Sequence, residues 1–229
     1  MKKEDIFARN IAFRGAEKQA SLSEKSMLIA GVGALGCIVA EILARSGIGT
    51  LYLVDRGIID PPDLNRQTLY SLKDIGRAKT EAAAEKLIAM TGQTRIIPIQ
   101  ASIGDIDISE AIDHCHGVAD CLDNFASRFA LEDLLAETMF MVHGALQGDY
   151  GQLTTLIPGE TVSLRDLYGR ISEPQGIVPV TPAIVFCIGS LMSQEILKNL
   201  LHEPLLKNRI QIVGLSGFVF SSIPVTKTN

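Results

Sequence analysis

Cysteine is scarce in this chain. Four cysteines occur in 229 residues, at 37, 115, 121 and 187. They are scattered rather than framed for disulfides, which fits a cytoplasmic location. No Cys-x-x-Cys pair exists, so a four-cysteine zinc site is excluded by counting. His114-Cys115-His116 falls between a predicted helix and a predicted strand, at the sheet end away from the ligand edge, where a structural or surface role is expected. A basic excess is also missing. The net charge of −5 and pI of about 5.4 speak against non-specific nucleic-acid binding and against an anionic membrane surface. The longest apolar run, Ala183–Ile188, is far short of a membrane span. Met1–Asn10 is charged and lacks the apolar core of a secretory signal. Neither internal repeats nor a domain linker is evident. With 47% hydrophobic and 21% charged residues, one α/β domain over 1–229 with a sizeable core is expected.

What the chain does have is concentrated between Ser26 and Asp55. Met27–Ala30 is an apolar strand. Gly31, Gly33 and Gly36 form a Gly-x-Gly-x-x-Gly turn. Ala34–Ser46 reads as a helix, with Gly47 as its left-handed cap. Thr50–Val54 is a second strand, with Asp55 at its carboxyl end. Strand, glycine turn, helix, strand and acid together make a nucleotide-binding unit. The glycines allow a tight turn and close approach of a ligand. The helix start offers free N–H groups and positive dipole to an anion, and the acid accepts from ribose hydroxyls. NAD, FAD and ATP all remain open on this motif alone.

The segments on either side extend the pattern. Met1–Lys25 is a polar lead-in anchored by Ile6, Phe7, Ile11 and Phe13, expected as one or two short helices. Pro61-Pro62 argues for a loop after Asp55, and Tyr70–Gly76 continues it. Lys79–Met90 reads as a helix ended by Gly92. Thr94–Ile99 is a third strand with pairing limited at Pro98, and Ile106–Asp113 is a short helix. Val118–Leu122 is a fourth strand, Phe125–Glu137 a helix and Met139–His143 a fifth strand. This alternation predicts a Rossmann-like, mostly parallel sheet with helices on both faces. Gln152–Ile157 alternates as an antiparallel addition. Gly159–Val180, with Pro174 and Pro179, is expected to cross the sheet. Thr181 and Pro182 open a core helix to about Leu201. Arg209–Val213 and Phe218–Ile223 are closing strands around Ser216-Gly217.

Cleaving ATP requires cations on the triphosphate and an acid for Mg²⁺. Arg66, Lys79 and Asp123 each fall at the carboxyl edge of the predicted sheet. For any one of them a solvated surface charge is the plain alternative; three in one crevice favour a site. Gly-Val-Gly-Ala-Leu-Gly-Cys, Leu-Val-Asp, Asp-Leu-Asn-Arg-Gln, Asp-Ile-Gly-x-x-Lys and Asp-Cys-Leu-Asp-Asn occur in this order. The series resembles the ubiquitin-activating-type superfamily, specifically the bacterial MoeB/ThiF/HesA adenylyltransferases, from about Arg9 to Leu201. The likeness includes Arg-Asn-Ile at 9–11, Gly-Ala…Gly-Gln at 144–152 and Ile-Gly-Ser-Leu…Glu-Ile-Leu-Lys at 188–198.

That resemblance implies a homodimer that adenylates the C-terminal glycine of a small ubiquitin-like sulfur carrier, in a thiamin or molybdopterin type of pathway. It assigns Gly31, Gly33 and Gly36 to the nucleotide phosphates and Asp55 to the ribose. Arg66 and Lys79, with Gln67 beside them, match phosphate-binding cations, and Asp123 matches the Mg²⁺ ligand. Arg9 matches an arginine that reaches the triphosphate from the other subunit. Four departures stand out. The zinc cysteines are missing, and the crossing connection is short and carries no cysteine, so adenylation without a covalent enzyme intermediate is expected. The usual second acid is Gly57 here, and the usual asparagine is Asp63. An aspartate near a triphosphate is repelled unless it faces Mg²⁺ or an arginine. A small-molecule carboxylate, a modified tRNA base, a non-catalytic dimeric nucleotide-binding module and an NAD oxidoreductase are the competing readings.

Overall fold

The computed structural model describes residues 6–169, 171, 176–203 and 206–226. The start of the polar lead-in and Pro174 of the crossing connection lie outside the described residues. Two short helices, α1 (Ala8–Arg14) and α2 (Ala16–Leu22), precede β1 (Ser26–Ala30). Then follow α3 (Ala34–Ser46), β2 (Thr50–Val54), α4 (Lys79–Thr91), β3 (Arg95–Ile99), α5 (Ile106–Ile112) and β4 (Gly117–Asp120). The second half runs α6 (Phe125–Asp133), β5 (Phe140–Gln147), β6 (Tyr150–Leu156), α7 (Leu164–Tyr168), α8 (Pro182–Leu200), β7 (Arg209–Gly214) and β8 (Val219–Pro224). The eight strands make one sheet in the order β3-β2-β1-β4-β5-β6-β7-β8. Neighbours from β3 to β5 pair in parallel; β5 to β8 pair antiparallel. The strand order reverses between β1 and β4, where open α/β sheets bind ligands at their carboxyl edge.

The central strands are buried along nearly their whole length because helices cover both faces of the sheet. On one face α3, α4 and α8 close over Ile29, Leu51, Leu53, Val142 and Leu153. On the other, α5, α6 and α7 close over Leu28, Val118, Met141 and Leu156. Helix α8 is the one helix among the described residues long and apolar enough to cross a membrane, and 61% of its apolar 18-residue stretch is buried inside the protein. Its side chains fill the space between α3 and the sheet, which explains an apolar composition nearly all round.

Several boundaries differ from the sequence reading. Pro61–Asn65 is a 3₁₀ turn rather than loop, because prolines fit the first helical positions and Asp60 and Asp63 cap it reciprocally. Leu72–Asp74 forms a second such turn, closed by Ser71 and Asp74. Strand β4 stops at Asp120, so Asp123 lies three residues beyond it, ahead of α6. Helix α6 ends at Asp133, short of Glu137. Strand β5 runs on through Gly144 and Ala145 to Gln147, because β6 pairs with it as far as Tyr150. Thr181 precedes α8 but makes no side-chain cap bond. Pro98 sits in the edge strand β3 opposite Leu53, where the missing N–H costs no second ladder.

Candidate nucleotide site

The glycine turn follows from steric necessity at two positions. Gly31 has φ +86°, and a Cβ there would lie 2.8 Å from the Cys121 carbonyl oxygen. A Cβ on Gly36 would lie 1.9 Å from the carbonyl oxygen of Gly31. Only glycine lets α3 start this close to the turn and lets the turn abut the segment after β4. A Cβ on Gly33 would meet nothing nearer than Gln67 Nε2 at 3.9 Å, so the turn's outer side is open.

Asp55 ties this turn to the next loop. Its Oδ2 accepts from Val32 N–H at 2.8 Å and its Oδ1 from Gly57 N–H at 2.7 Å. Gly57 leaves room for this carboxylate: a Cβ would lie 2.9 Å from Asp55 Oδ1 and 3.5 Å from the Lys79 stem, and Asp55 would have to shift. Tyr70 is a further brace that the sequence did not announce. Its hydroxyl donates to the Val32 carbonyl at 2.7 Å and lies 3.2 Å from that of Lys79. Burial pushes its pKa far above the ordinary tyrosine value, with Cys37 and Asp55 adding to the shift, so it stays a neutral donor.

Arg66, Gln67 and Lys79 converge on one carboxylate, that of Asp63. Lys79 Nζ lies 3.1 Å from Asp63 Oδ2, and Arg66 Nη2 lies 3.8 Å from Oδ1. Gln67 Nε2 donates to Oδ1 at 2.6 Å, and Asp60 N–H donates to Oδ2 at 3.2 Å. The departure at 63 therefore resolves structurally: the acid faces the cations it was expected to need. Arg66 is held further by the Pro62 carbonyl at 2.8 Å and by Asn65 Oδ1 at 3.0 Å. Gln67 is 3% exposed, yet its Oε1 is buried without a partner. An open glycine turn at a helix start and two cations form a donor set that fits a nucleoside polyphosphate.

Asp123 is exposed on the turn between β4 and α6, the turn that Gly31 touches. Asn124 Nδ2 donates to Asp123 Oδ1 at 3.1 Å, while Asn124 Oδ1 caps α6 by accepting from Ser127 N–H at 2.8 Å. Beneath this turn lies a buried set that the sequence reading passed over: Asp120, Arg128 and His143. His143 Nδ1 lies 2.6 Å from Asp120 Oδ2, and Arg128 Nη1 lies 3.6 Å from that oxygen. Burial alone would raise the Asp120 pKa, but Arg128 and the His143 hydrogen bond outweigh it and hold the carboxyl below its ordinary value. Burial and the Arg128 charge lower the His143 pKa, so the imidazole is neutral.

Arg9 is not part of this cluster within one chain. It is exposed on α1, which packs at the far end of α3: Asn10 Nδ2 donates to the Arg45 carbonyl at 3.3 Å, and Phe7 lies against Gly47. A 13-residue helix spans about 20 Å, which separates Arg9 from the glycine turn. His116 lies at the amino end of the sheet, its Nδ1 accepting from Ser26 N–H at 3.2 Å. No group of three or more His, Cys, Asp and Glu side chains arranged for a metal occurs among the described residues. The four cysteines are all free thiols, and burial raises the pKa of every one, those of Cys37 and Cys115 to about 12.

The sequence is 29% identical over 232 residues to the SAMP-activating enzyme E1 of Haloferax volcanii, covering 96% of this chain and 84% of that protein. It is 32% identical over 201 residues to the molybdopterin-synthase adenylyltransferase of Escherichia coli, covering 85% of this chain and 81% of that one. Among solved structures, E. coli MccB with AMPCPP and MccA superposes with a TM-score of 0.86 at 19% identity, covering 100% of this chain and 73% of that chain. PaaA superposes with a TM-score of 0.85 at 16% identity, over 98% of this chain and 83% of that chain. These two likenesses are of fold. The ThiF family model matches residues 7–229, and the chain belongs to the ThiF family.

Proposed function

We propose that this chain is an ATP-dependent adenylyltransferase that activates the C-terminal glycine carboxylate of a small ubiquitin-like sulfur carrier, of the thiamin or molybdopterin type. The observation that carries the reading is the convergence of Arg66, Gln67 and Lys79 beside the glycine turn, with Asp123 on the adjoining turn. The names of the relatives in Haloferax and E. coli point the same way. We take residues 1–229 as one adenylyltransferase domain, cytoplasmic, as four free thiols suit.

In this reading Gly31, Gly33 and Gly36 lie along the phosphates and Asp55 takes the ribose hydroxyls. The carrier carboxylate attacks the α-phosphorus. The bond from that phosphorus to the β-bridging oxygen breaks, and an acyl-adenylate and pyrophosphate result. The nucleophile is already ionised at neutral pH, so no general base is needed. The difficulty is repulsion between a carboxylate and a polyphosphate. Arg66 and Lys79 offset it, and they bind the leaving pyrophosphate more strongly as its charge grows. Asp123 would hold Mg²⁺, which supplies further charge neutralisation on the phosphates. Arg9 reaches the triphosphate from a second copy, which makes the active form a homodimer. With every thiol held protonated, no acyl-cysteine step is assigned to the chain.

The test is ATP–pyrophosphate exchange with Mg²⁺ and a panel of carriers ending in Gly-Gly. Exchange that requires a carrier and falls on the order of 10²–10³ in Lys79→Ala and Asp123→Ala supports the reading. No exchange with any carrier, together with unchanged ATP binding in both variants, refutes it.

A further inference from the structure

The turn that carries Asp123 rests on buried polar groups rather than on the sheet. Strand pairing of β4 ends with Asp120, which stands opposite His143 on β5. Cys121 N–H still reaches the Ala30 carbonyl at 2.9 Å, and beyond it the ladder stops. The next residue, Leu122, is held from both sides by the buried set. Asp120 Oδ1 accepts from Leu122 N–H at 3.1 Å, and Arg128 Nη2 donates to the Leu122 carbonyl. Asp123 follows directly.

His143 joins these two clamps. Its exposure and that of Asp120 are both 0%, and Arg128 is 7% exposed. His143 Nδ1 lies 2.6 Å from Asp120 Oδ2, and Arg128 Nη1 lies against the ring, 2.9 Å from Nδ1 and 3.2 Å from Nε2. With the proton on Nδ1, His143 donates to Asp120, Nε2 is the ring nitrogen free to accept from Arg128, and the Asp120 and Arg128 charges are left to cancel. An unpaired charge at such depth is strongly destabilising, so Asp120 and Arg128 depend on each other, and the neutral His143 bridges them. Tyr168, from α7 in the crossing connection, covers the set: its ring lies 5.4 Å from that of His143 and 5.5 Å from that of Phe125. Gln152 Nε2 in turn donates to the Tyr168 hydroxyl.

We infer that His143 is a positioning residue, which acts through Asp120 and Arg128 to fix the Leu122 peptide and so the direction in which Asp123 presents its carboxylate to a divalent cation. The inference rests on the assignment of Asp123 proposed above. Residues that orient a metal ligand commonly change metal affinity 10–100-fold when replaced.

The experiment measures the ATP dissociation constant of the full-length chain by calorimetry, once in EDTA and once in saturating MgCl₂, and takes the ratio as the magnesium gain. Asp123→Ala is expected to abolish the gain. His143→Ala is expected to cut it about tenfold while changing affinity in EDTA less than twofold. His143→Asn, which still donates to Asp120, restores part of the gain and serves alone if the alanine variant does not fold. On the Asp123→Ala background, replacing His143 changes the ratio no further. An undiminished gain in folded His143 variants overturns the inference while the Asp123 assignment stands. So does an equal loss in EDTA and in MgCl₂, which marks a merely structural role. If Asp123→Ala itself leaves the gain intact, the assignment of Asp123 fails, and the inference with it.

Discussion

Asp63→Asn isolates the effect of an anion set among phosphate-binding cations. The geometry lets the exchange occur without disturbing the fold. The oxygen at the Oδ2 position keeps Lys79 Nζ at 3.1 Å and Asp60 N–H at 3.2 Å. The new amide nitrogen faces Gln67, whose Nε2 now donates at 2.6 Å and whose Oε1 has no partner. Turning the Gln67 amide over lets its oxygen accept from the new amide and puts Nε2 in the buried position that now lacks a partner, so one hydrogen bond is kept and the number of unpartnered atoms is unchanged. What changes is one charge. A phosphate oxygen bound by Lys79 on the side away from Asp63 would lie roughly 6 Å from that carboxylate, since Lys79 Nζ is itself 3.1 Å from Asp63 Oδ2. At an effective dielectric between about 20 and about 80, the repulsion removed is about 0.7–3 kcal/mol. ATP is therefore expected to bind about three- to hundred-fold tighter, with the larger part of the gain at low salt. Calorimetric titration of ATP into both proteins, at two ionic strengths, measures it. Equal or weaker binding by the variant refutes the reasoning and marks Asp63 as a group that contributes to nucleotide or metal binding instead.

Three further outcomes follow from single features. Gly36→Ala places a Cβ 1.9 Å from the Gly31 carbonyl oxygen, so urea melts should show a loss of about 1–3 kcal/mol or more, and ATP binding should weaken at least about tenfold. A variant with wild-type ATP affinity would refute the close packing of the turn. With Cys37 and Cys115 pushed up to about 12, only about 10⁻⁴ of each is thiolate at pH 8. An aromatic disulfide reagent should therefore label them slowly until denaturant is added, and a fast native thiol at either position would contradict the burial argument. The buried His143 has a folded-state pKa below its unfolded value of about 6.5, which leaves stability unaffected above that pH. Below about 6.5 the unfolded chain takes the proton first, so stability falls toward the folded pKa by up to about 1.4 kcal/mol per pH unit. His143→Asn should flatten that acid-side decline in melting temperature between about pH 7 and about pH 5, and parallel curves for the two proteins would refute it.

Much of this protein was determined locally and could be read from its residues. Ala34–Ser46, Thr50–Val54 and Gly47 as a left-handed cap follow from apolar runs bounded by glycines, and the structure has them at those positions. The glycine turn, Asp55 and Lys79 were legible as candidates because each sits at the end of a readable element, Arg66 because it lies in the loop after the second strand at the sheet's carboxyl edge, and Gln67 only through the family resemblance. The limits of β4 and β5 were not legible, since a partner strand decides where pairing stops: β5 runs to Gln147 only because β6 returns beside it. The 3₁₀ turn at Pro61–Asn65 was hidden by its prolines, although the Asp60 and Asp63 caps carry its chemistry. Only the tertiary structure brought Asp63 between Lys79 and Arg66, since their meeting depends on how the loop after β2 folds back on the start of α4. The set of Asp120, Arg128 and His143 was invisible for the same reason. Its members lie on three elements, each with an ordinary local pattern, and only the packing of α6 against β4 and β5 makes them one buried network.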